Sequence, residues 1–267
     1  MDGGIFSDKG PSVSLQLESR FLLMKNALVI GATSDIGIHI SEILANQGFS
    51  LSLSGRDKKK LKEIKSKFKT KYPVSLETYE LDVTDFASHT KFYDQINPKP
   101  DIVFLLAGYY EDQTKARENQ AELLRTINTN YSGIVSLINV ISLDMEKRKD
   151  GSIVAVSSVA GDRGRQMNYI YGSAKAGLTT YLSGLRSLLF PKGVHISTIQ
   201  LGPVYTKMSF GHNLIPWLTL QPQDAAKLIV KAGLTKKDIV YIRWPWRLIM
   251  FVIRNIPEWI FKRLPPF

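Results

Sequence analysis

The chain of 267 residues is 44% hydrophobic and 22% charged, which provides enough apolar material for one large folded domain or two small ones. This composition excludes a disordered chain, a collagen and a coiled coil. The sequence contains no cysteine, which excludes disulfides, thiolate metal sites and a cysteine nucleophile, and its four histidines lie too far apart for a local metal motif. We therefore expect no metal site.

The formal net charge of +11 would suit an anionic partner such as nucleic acid, a phosphorylated cofactor or a membrane surface. Nine basic and two acidic residues fall between Arg56 and Lys71, so most of the excess lies in one segment. Leu61, Ile64 and Phe68 recur there at helical spacing, which favours a helix with a solvated lysine face over a nucleic-acid patch. We expect no nucleic-acid partner.

The two ends of the chain differ from its middle. Residues 1–23 are polar and patternless, and we assign them to an N-terminal extension, followed by a domain over 24–242 and an amphipathic segment over 243–267. No secretory signal peptide is evident. The longest charge-free apolar run near the C-terminus, Leu248–Ile253, has six residues, far short of the ~20 that a membrane-spanning helix needs. A cytoplasmic location is the expectation.

Short apolar runs alternate with amphipathic stretches from Lys25 to about Ile242. The seven predicted strands, rich in β-branched and aliphatic residues, are Ala27–Ile30, Leu51–Ser54, Val74–Leu81, Ile102–Leu106, Ile153–Ser157, Ile196–Leu201 and Ile239–Ile242. The clearest predicted helices are 36–46, 57–68, 120–147, 169–190 and 222–232. This alternation predicts an α/β fold, a single domain with a Rossmann-type, doubly wound, seven-stranded parallel sheet.

A glycine-rich turn joins the first predicted strand to the helix that follows it. Backbone N–H groups and the positive helix end can cradle a pyrophosphate at such a turn. The residues expected to contact a dinucleotide there are Gly31, Thr33, Ser34, Asp35, Ile36 and Gly37. A carboxylate pointing at a phosphate would be repelled, so Asp35 must turn aside, for example to cap the helix.

The end of the second predicted strand indicates which dinucleotide is bound. It offers no carboxylate for a ribose 2′-hydroxyl, whereas Arg56 can bind a 2′-phosphate. NADP(H) is therefore favoured over NAD(H). The alternative is that Arg56 merely begins the basic helix.

Tyr171 and Lys175 lie four residues apart on a predicted helix, which places the phenol and the ammonium on one face. A tyrosine with its ordinary pKa of about 10 is a poor base at neutral pH, and a nearby cation favours the phenolate. Ser158 closes the fifth predicted strand, at the sheet edge where ligands of open α/β folds bind. Taken alone, such a Tyr/Lys pair would more often be a surface pair.

Together, these motifs resemble the short-chain dehydrogenase/reductase family over about residues 25–242. The resemblance implies that Tyr171 is the general acid–base, that Ser158 polarises the substrate oxygen and that Lys175 tunes the tyrosine and holds the nicotinamide ribose. Asn130, in Asn130-Tyr131-Ser132-Gly133, corresponds to an asparagine that holds a water connected to the lysine. Family members are often homodimers or homotetramers, which we expect here.

The same resemblance implies further cofactor contacts. Asp82 and Val83 would contact the adenine, and Pro203, Val204 and Thr206 would contact the nicotinamide amide. Ala107 and Gly108 would allow the backbone to approach the cofactor closely. The sequence departs from the family pattern at Asp35, Leu106 and Leu201. These departures leave open a nucleotide-binding membrane or regulatory protein that keeps the fold without chemistry, although the four intact catalytic positions argue against it.

Two segments are candidates for binding the substrate. Arg163 and Arg165 lie between the serine and the tyrosine and can bind a phosphate, or they are solvated loop arginines. Residues 207–220 form a predicted mobile lid, in which Met208 and Phe210 suggest an apolar substrate. Core packing of the same apolar side chains is an equal alternative.

The C-terminal segment predicts a helix beginning near Trp246. Arg247 and Arg254 fall on one narrow polar stripe, with apolar side chains and tryptophans around the remainder. This pattern is typical of a helix lying in a membrane interface, which would place the protein on the inner face of the membrane. The alternative is a helix packed on the domain or on a dimer partner.

Residues 157–163 and 171–178, together with the tail 254–265, are similar to one subgroup, the decaprenylphosphoryl-2-keto-pentose reductases of mycobacterial arabinan synthesis. This resemblance implies a nicotinamide-dependent reduction of a keto sugar carried on a polyprenyl phosphate, with a flavin oxidase as partner. A long-chain or steroid-like ketone would suit the same tail.

Overall fold

The apolar runs of the chain form one sheet. The computed structural model describes residues 26–209 and 214–265. The strands are β1 (Asn26–Ile30), β2 (Ser50–Gly55), β3 (Leu76–Glu80), β4 (Ile102–Leu105), β5 (Gly151–Ser158), β6 (Val194–Leu201) and β7 (Ile239–Ile242). Every neighbouring pair is parallel, and the order across the sheet is β3-β2-β1-β4-β5-β6-β7. The predicted α/β fold and its seven-stranded parallel sheet are confirmed.

Both faces of the sheet are covered, which explains why most residues of the central strands are buried, although polar residues such as the serines of β2 also occur in them. Successive side chains of β1 point to opposite faces. Val29 packs with Leu44 in one hydrophobic cluster, whereas Leu28 and Ile30 pack with Ile138 in the other.

The helices that cover the sheet alternate with the strands. They are α1 (Asp35–Asn46), α2 (Lys58–Lys71), α3 (His89–Asp94), α4 (Gln113–Glu118), α5 (Gln120–Ile127), α6 (Gly133–Arg148), α7 (Tyr169–Leu189), α8 (Pro222–Leu234), α9 (Pro245–Asn255) and α10 (Glu258–Phe261). The lysine-rich α2 buries the predicted stripe of Leu61, Ile64 and Phe68. Its lysine-rich remainder faces away from the core, as the sequence predicted.

The predicted helix over 120–147 is confirmed in extent, but it is not a regular α-helix throughout. A wider, π-helical turn at Asn128–Ser132 separates α5 from α6. A Cβ atom on Gly133 would lie 2.1 Å from the carbonyl oxygen of Val83, so the helix can approach the loop after β3 only with glycine at this position. Such turns are frequent at functional sites, and this one contains Asn130.

The sheet positions a cleft at its topological switch point. Strand β1 pairs with β2 on one side and with β4 on the other, so the chain leaves β1 and β4 in opposite directions at their carboxyl ends. Ligands of open α/β sheets bind at this point.

The C-terminal segment packs on the domain through one face of α9. Trp246 and Met250 are buried against Val159 and Leu218, and the Trp246 indole N–H donates to the carbonyl oxygen of Leu218 at 3.3 Å. The opposite face exposes apolar side chains, including Phe251. Within residues 26–209 and 214–265, no helix has both the length and the hydrophobicity required to cross a membrane.

Candidate active site

A cavity of about 480 Å³ opens at the carboxyl ends of the central strands. Its walls come from the glycine-rich turn, the loop after β4, the end of β5, the start of α7 and the loop after β6. The predicted site residues that line it are Thr33, Ser34, Asp35, Ile36, Gly108, Ser158, Arg165, Tyr171, Lys175, Pro203, Val204, Thr206 and Met208. Gly31, Gly37, Arg56, Asp82, Val83, Ala107 and Asn130 lie outside this lining.

Tyr171, Ser158 and Lys175 meet at the base of the cavity. The Ser158 side chain lies close enough to the Tyr171 phenol to influence its pKa. The Lys175 ammonium lies 5.8 Å from the centroid of the Tyr171 ring and donates to the carbonyl oxygen of Val156 at 3.0 Å. The helical spacing thus places phenol and ammonium side by side, as the sequence predicted.

Burial dominates the electrostatics of these groups. It raises the pKa of Tyr171 to about 12, although the Ser158 side chain opposes the shift. Burial also lowers the pKa of Lys175 to about 8. The sequence led us to expect that the lysine would make the tyrosine more acidic, but desolvation outweighs that effect here. At neutral pH the phenol is protonated and can act as a proton donor.

Asn130 is fully buried and fixes the loop after β4. Its Nδ2 donates to the carbonyl oxygens of Tyr109, at 2.6 Å, and Thr126, at 2.8 Å, and its Oδ1 accepts from the Tyr109 N–H at 3.2 Å. The side-chain amide is therefore committed to the backbone. It holds the backbone of Tyr109, which lies between the cavity-lining residues Gly108 and Tyr110.

The glycine-rich turn is tightly packed. Gly31 has φ +87°, and a Cβ there would lie 2.9 Å from the Ala107 nitrogen. Ser34, not Asp35, caps α1 by accepting from the Gly37 N–H at 3.0 Å. Asp35 instead accepts from the Lys207 N–H at 3.1 Å, so it ties the turn to the predicted lid. The suggested capping role of Asp35 is therefore wrong.

Sequence reasoning missed Lys60 at the phosphate side of the cavity. Asp57 caps α2 by accepting from the Lys60 N–H, and the Lys60 ammonium donates to the carbonyl oxygen of Thr33 in the glycine-rich turn. Arg56 is exposed at the end of β2, within electrostatic reach of Asp82. Lys60 could not be identified from the sequence, because it lies in a run of basic residues and nothing distinguishes it from the solvated lysines nearby.

The two loop arginines have different surroundings. Arg163 does not line the cavity. It donates to the carbonyl oxygens of Ile253, at 2.8 Å, and of Arg254 and Ile256 at the end of α9, and it pairs with Glu258 at 2.7 Å. Its guanidinium also lies 3.8 Å from the Phe261 ring centroid. The predicted substrate role of Arg163 is replaced by a structural one, the anchoring of the tail.

Arg165 lines the cavity together with Tyr110, Asn168 and Trp246, which the sequence did not single out. The Tyr110 ring packs edge-on against Tyr171, with their centroids 5.3 Å apart. Met208 also lines the cavity. Phe210 lies outside the described residues. No signal in the sequence linked Asn168 or Trp246 to the site, because their approach depends on the fold.

The topology and this constellation define the class of dinucleotide-binding α/β proteins in which a tyrosine, a lysine and a serine face the nucleotide cleft. Residues 25–213 match the model of the short chain dehydrogenase family. The chain belongs to this family.

Similar proteins agree with this assignment. An uncharacterized oxidoreductase of Mycobacterium tuberculosis (strain H37Rv) is 30% identical over 241 residues, 89% of this chain and 96% of that protein. Human 17-beta-hydroxysteroid dehydrogenase type 1 is 29% identical over 185 residues, 67% of this chain and 56% of that protein.

Solved structures share the fold at lower identity. A short chain dehydrogenase of Burkholderia cenocepacia in complex with NADP has a TM-score of 0.78 at 19% identity, covering 91% of this chain and 98% of that one. A short-chain dehydrogenase of Sphingobium yanoikuyae in complex with NADPH has a TM-score of 0.75 at 19% identity, covering 88% and 97%.

Proposed function

We propose that the protein is an NADPH-dependent reductase of a ketone on a lipophilic substrate. The observation that carries this proposal is the contact of Tyr171 with Ser158 in a cavity whose base is the buried Lys175. A protein that only binds the nucleotide would not need a protonated phenol and a hydroxyl that converge on one position in the cavity. This argues against the non-catalytic alternative.

The residues present fit a phosphorylated dinucleotide. Four cations, Lys60, Arg165, Lys175 and Lys207, and one acid, Asp35, line the cavity within the described ranges. The turn after β1 would hold the pyrophosphate, Arg56 and Lys60 the 2′-phosphate, and the loop of Pro203, Val204 and Thr206 the nicotinamide amide. When bound, the cofactor supplies the hydride.

The side chains of this chain supply the proton and orient the substrate. Tyr171 protonates the carbonyl oxygen as the hydride arrives at carbon, and Ser158 donates a hydrogen bond to the same oxygen. Lys175 in its ammonium form stabilises the phenolate that this transfer leaves behind. Asn130 holds the loop of Tyr109 in place, and we retain for it the supporting role in a water relay that the family resemblance implies.

The lipophilic character of the substrate rests on the apolar side chains around the cavity. Leu106, Val159, Met208, Leu214 and Trp246 line it. The resemblance of the tail and serine loop to keto-pentose reductases favours a keto sugar carried on a polyprenyl phosphate. A steroid-like ketone is the second candidate, favoured by the similarity to the human hydroxysteroid dehydrogenase.

Oxidation of NADPH at 340 nm with a short-chain polyprenyl-phosphate 2-keto-pentose, and in parallel with a steroid ketone, tests the proposal. We expect Tyr171→Phe to lose at least about 100-fold in turnover and to keep NADPH affinity, because the proton donor is removed and the cleft remains. Tyr169→Phe, an exposed tyrosine on the same helix, is the matched control. Near-wild-type turnover by Tyr171→Phe would overturn the assignment.

We also propose a cytoplasmic protein that lies peripherally on the inner face of the membrane through its C-terminal tail. The exposed apolar face of α9 and the basic residues beside it support this location. The family and subgroup resemblances lead us to propose a homodimer or homotetramer and a flavin oxidase partner, which light scattering of the protein alone and with that oxidase would test.

A further inference from the structure

Two polar atoms beside Tyr171 are buried without a hydrogen-bond partner in the described part of the chain. They are Nε of Arg165 and Oδ1 of Asn168. Both residues line the cavity and lie in the segment between β5 and α7. Buried polar groups in proteins nearly always have a partner, so each of these atoms calls for one.

The oxygen of Asn168 would ordinarily have a use within the helix. Asn168 stands at the N-cap of α7, where an asparagine oxygen accepts from one of the first N–H groups, but it makes no such bond. Gln113 of α4 supplies that acceptor instead, through its Oε1 to the Ile170 N–H at 3.1 Å. Because the cap is provided by another element, the Asn168 oxygen remains without a partner among the described residues.

The charge of Arg165 is also unbalanced. The Arg165 carbonyl oxygen accepts from the Asn168 N–H at 3.0 Å, but its guanidinium makes no ion pair or hydrogen bond with the described residues. The carboxylate within electrostatic reach is Asp162, which accepts from the Tyr241 hydroxyl at 2.8 Å. Arg163, two residues earlier, is by contrast fully engaged with the tail. A half-buried guanidinium without a partner is costly unless an anion completes the site.

This pair of groups lies beside the reacting centre. Arg165 is within electrostatic reach of Tyr110, and the Tyr110 ring contacts Tyr171. The glycine-rich turn and Lys60 form a separate part of the same cavity. The location is therefore on the substrate side, apart from the proposed dinucleotide phosphates.

We propose that Arg165 and Asn168 form a recognition subsite for a ketone that carries an anionic group, phosphate or carboxylate, and a hydroxyl near the carbonyl. Arg165 donates to the anion and Asn168 accepts from the hydroxyl. The inference rests on the proposed ketone reduction for its meaning, but the binding it describes is measurable without turnover.

Isothermal calorimetry on the protein saturated with NADP⁺ tests the subsite. The probes are D-ribulose 5-phosphate, 5-keto-D-gluconate and neutral D-ribulose, which separate phosphate, carboxylate and uncharged ligands. We expect one anionic probe to bind roughly 10- to 100-fold more tightly than ribulose, and Arg165→Gln to abolish that preference. Arg165→Lys should restore part of it, since it returns the charge without the planar fork.

Two further variants make the result specific. Asn168→Ala should weaken all three probes by a similar factor, because the hydroxyl acceptor is common to them. Arg117→Gln, which changes an exposed arginine of α4, should bind all probes as the wild type does. Circular dichroism and thermal unfolding establish that each variant is folded.

The outcomes separate this inference from the reductase assignment. Equal affinity of the wild type for neutral and anionic probes, failure to bind any probe, or an anion preference that survives in Arg165→Gln would overturn the subsite. Anion preference that depends on Arg165, combined with no NADPH oxidation in the presence of the polyprenyl-phosphate 2-keto-pentose or the steroid ketone, would support the subsite and count against the reduction.

Discussion

At the scale of single residues, the site contains a lysine that opposes folding. Lys175 is 3% exposed, and burial lowers its pKa to about 8, below its ordinary value of 10.5. Between these two values the unfolded chain binds a proton that the folded chain does not, so the stability contributed by this group rises with pH. Below pH 8 the full cost of burying the ammonium is present.

We therefore expect Lys175→Met to be more stable than the wild type at pH 7, by at most roughly 3 kcal/mol, although the loss of the bond to the Val156 carbonyl reduces this gain. The difference should shrink as pH rises and vanish near pH 10.5. Urea unfolding of both proteins between pH 7 and pH 10.5 measures it. A difference that is constant with pH would show that Lys175 is not desolvated, and turnover of the variant should be lost in any case.

The residues that the sequence identified are those whose chemistry is tied to local spacing. Tyr171 and Lys175 share a helix face whatever the tertiary structure does, and Ser158 ends a strand. Asn168 and Arg165 are different, because their lack of partners depends on Gln113 and Asp162 being engaged by other elements. Contacts of that kind depend on the tertiary structure, so they produce no periodic pattern in the sequence.

At the scale of elements, Arg163 couples the tail to the catalytic loop. It accounts for the carbonyl groups at the end of α9, which have no partner within their own helix. The loop that carries it also holds Gly161, at which a Cβ would lie 2.8 Å from the backbone of Lys175 and Ala176. Arg163 therefore connects the tail to a loop that packs closely against α7, the helix that carries Tyr171 and Lys175.

Arg163→Ala should destabilise the protein by about 1–3 kcal/mol, because it leaves helix carbonyls and Glu258 without their donor. It should also raise KM more than it lowers kcat, since Trp246 of α9 lines the cavity. Thermal unfolding and limited proteolysis of the tail, with Arg247→Ala as control, measure this effect. If the variant unfolds like the wild type and its tail resists proteolysis equally, Arg163 does not anchor the tail.

Strands and helices were predicted with different success for a physical reason. Most strands carry buried aliphatic side chains, so each was visible as a short run between turns. The π-helical turn at Asn128–Ser132 was not, because the pattern of hydrophobic residues continues across it.

At the scale of the whole molecule, the tail packs on the domain, which was one of the alternatives that the sequence left open, and it also presents a second face to solvent. One face of α9 packs on the domain through Trp246 and Met250. The other exposes Leu248, Phe251 and Val252, and Trp259 follows on α10. Arg247, Lys262 and Arg263 are exposed in the same segment, and its acid, Glu258, is paired with Arg163. Arg254 lies within electrostatic reach of Asp162 and Tyr241.

This surface should bind anionic bilayers, because apolar side chains enter the interface while the arginines contact lipid headgroups. We expect cosedimentation with vesicles of phosphatidylcholine and phosphatidylglycerol at 3:1 and weaker binding to phosphatidylcholine alone. The double variant Phe251→Ser/Val252→Ser should lose at least about tenfold in partitioning. Phe190→Ser, which changes a phenylalanine 78% exposed on the main domain, should bind as the wild type does.

Light scattering of the same proteins decides between a membrane and a second copy of the chain as the occupant of this face. If the double variant changes from a larger assembly to a smaller one while vesicle binding is unaffected, the exposed face of α9 is a subunit contact. If its mass stays that of the wild type and vesicle binding is lost, a lipid surface is the occupant. In the latter case the cavity opens beside a membrane-bound tail, since Trp246 belongs to both, and a lipophilic ketone could reach Tyr171 without crossing bulk water.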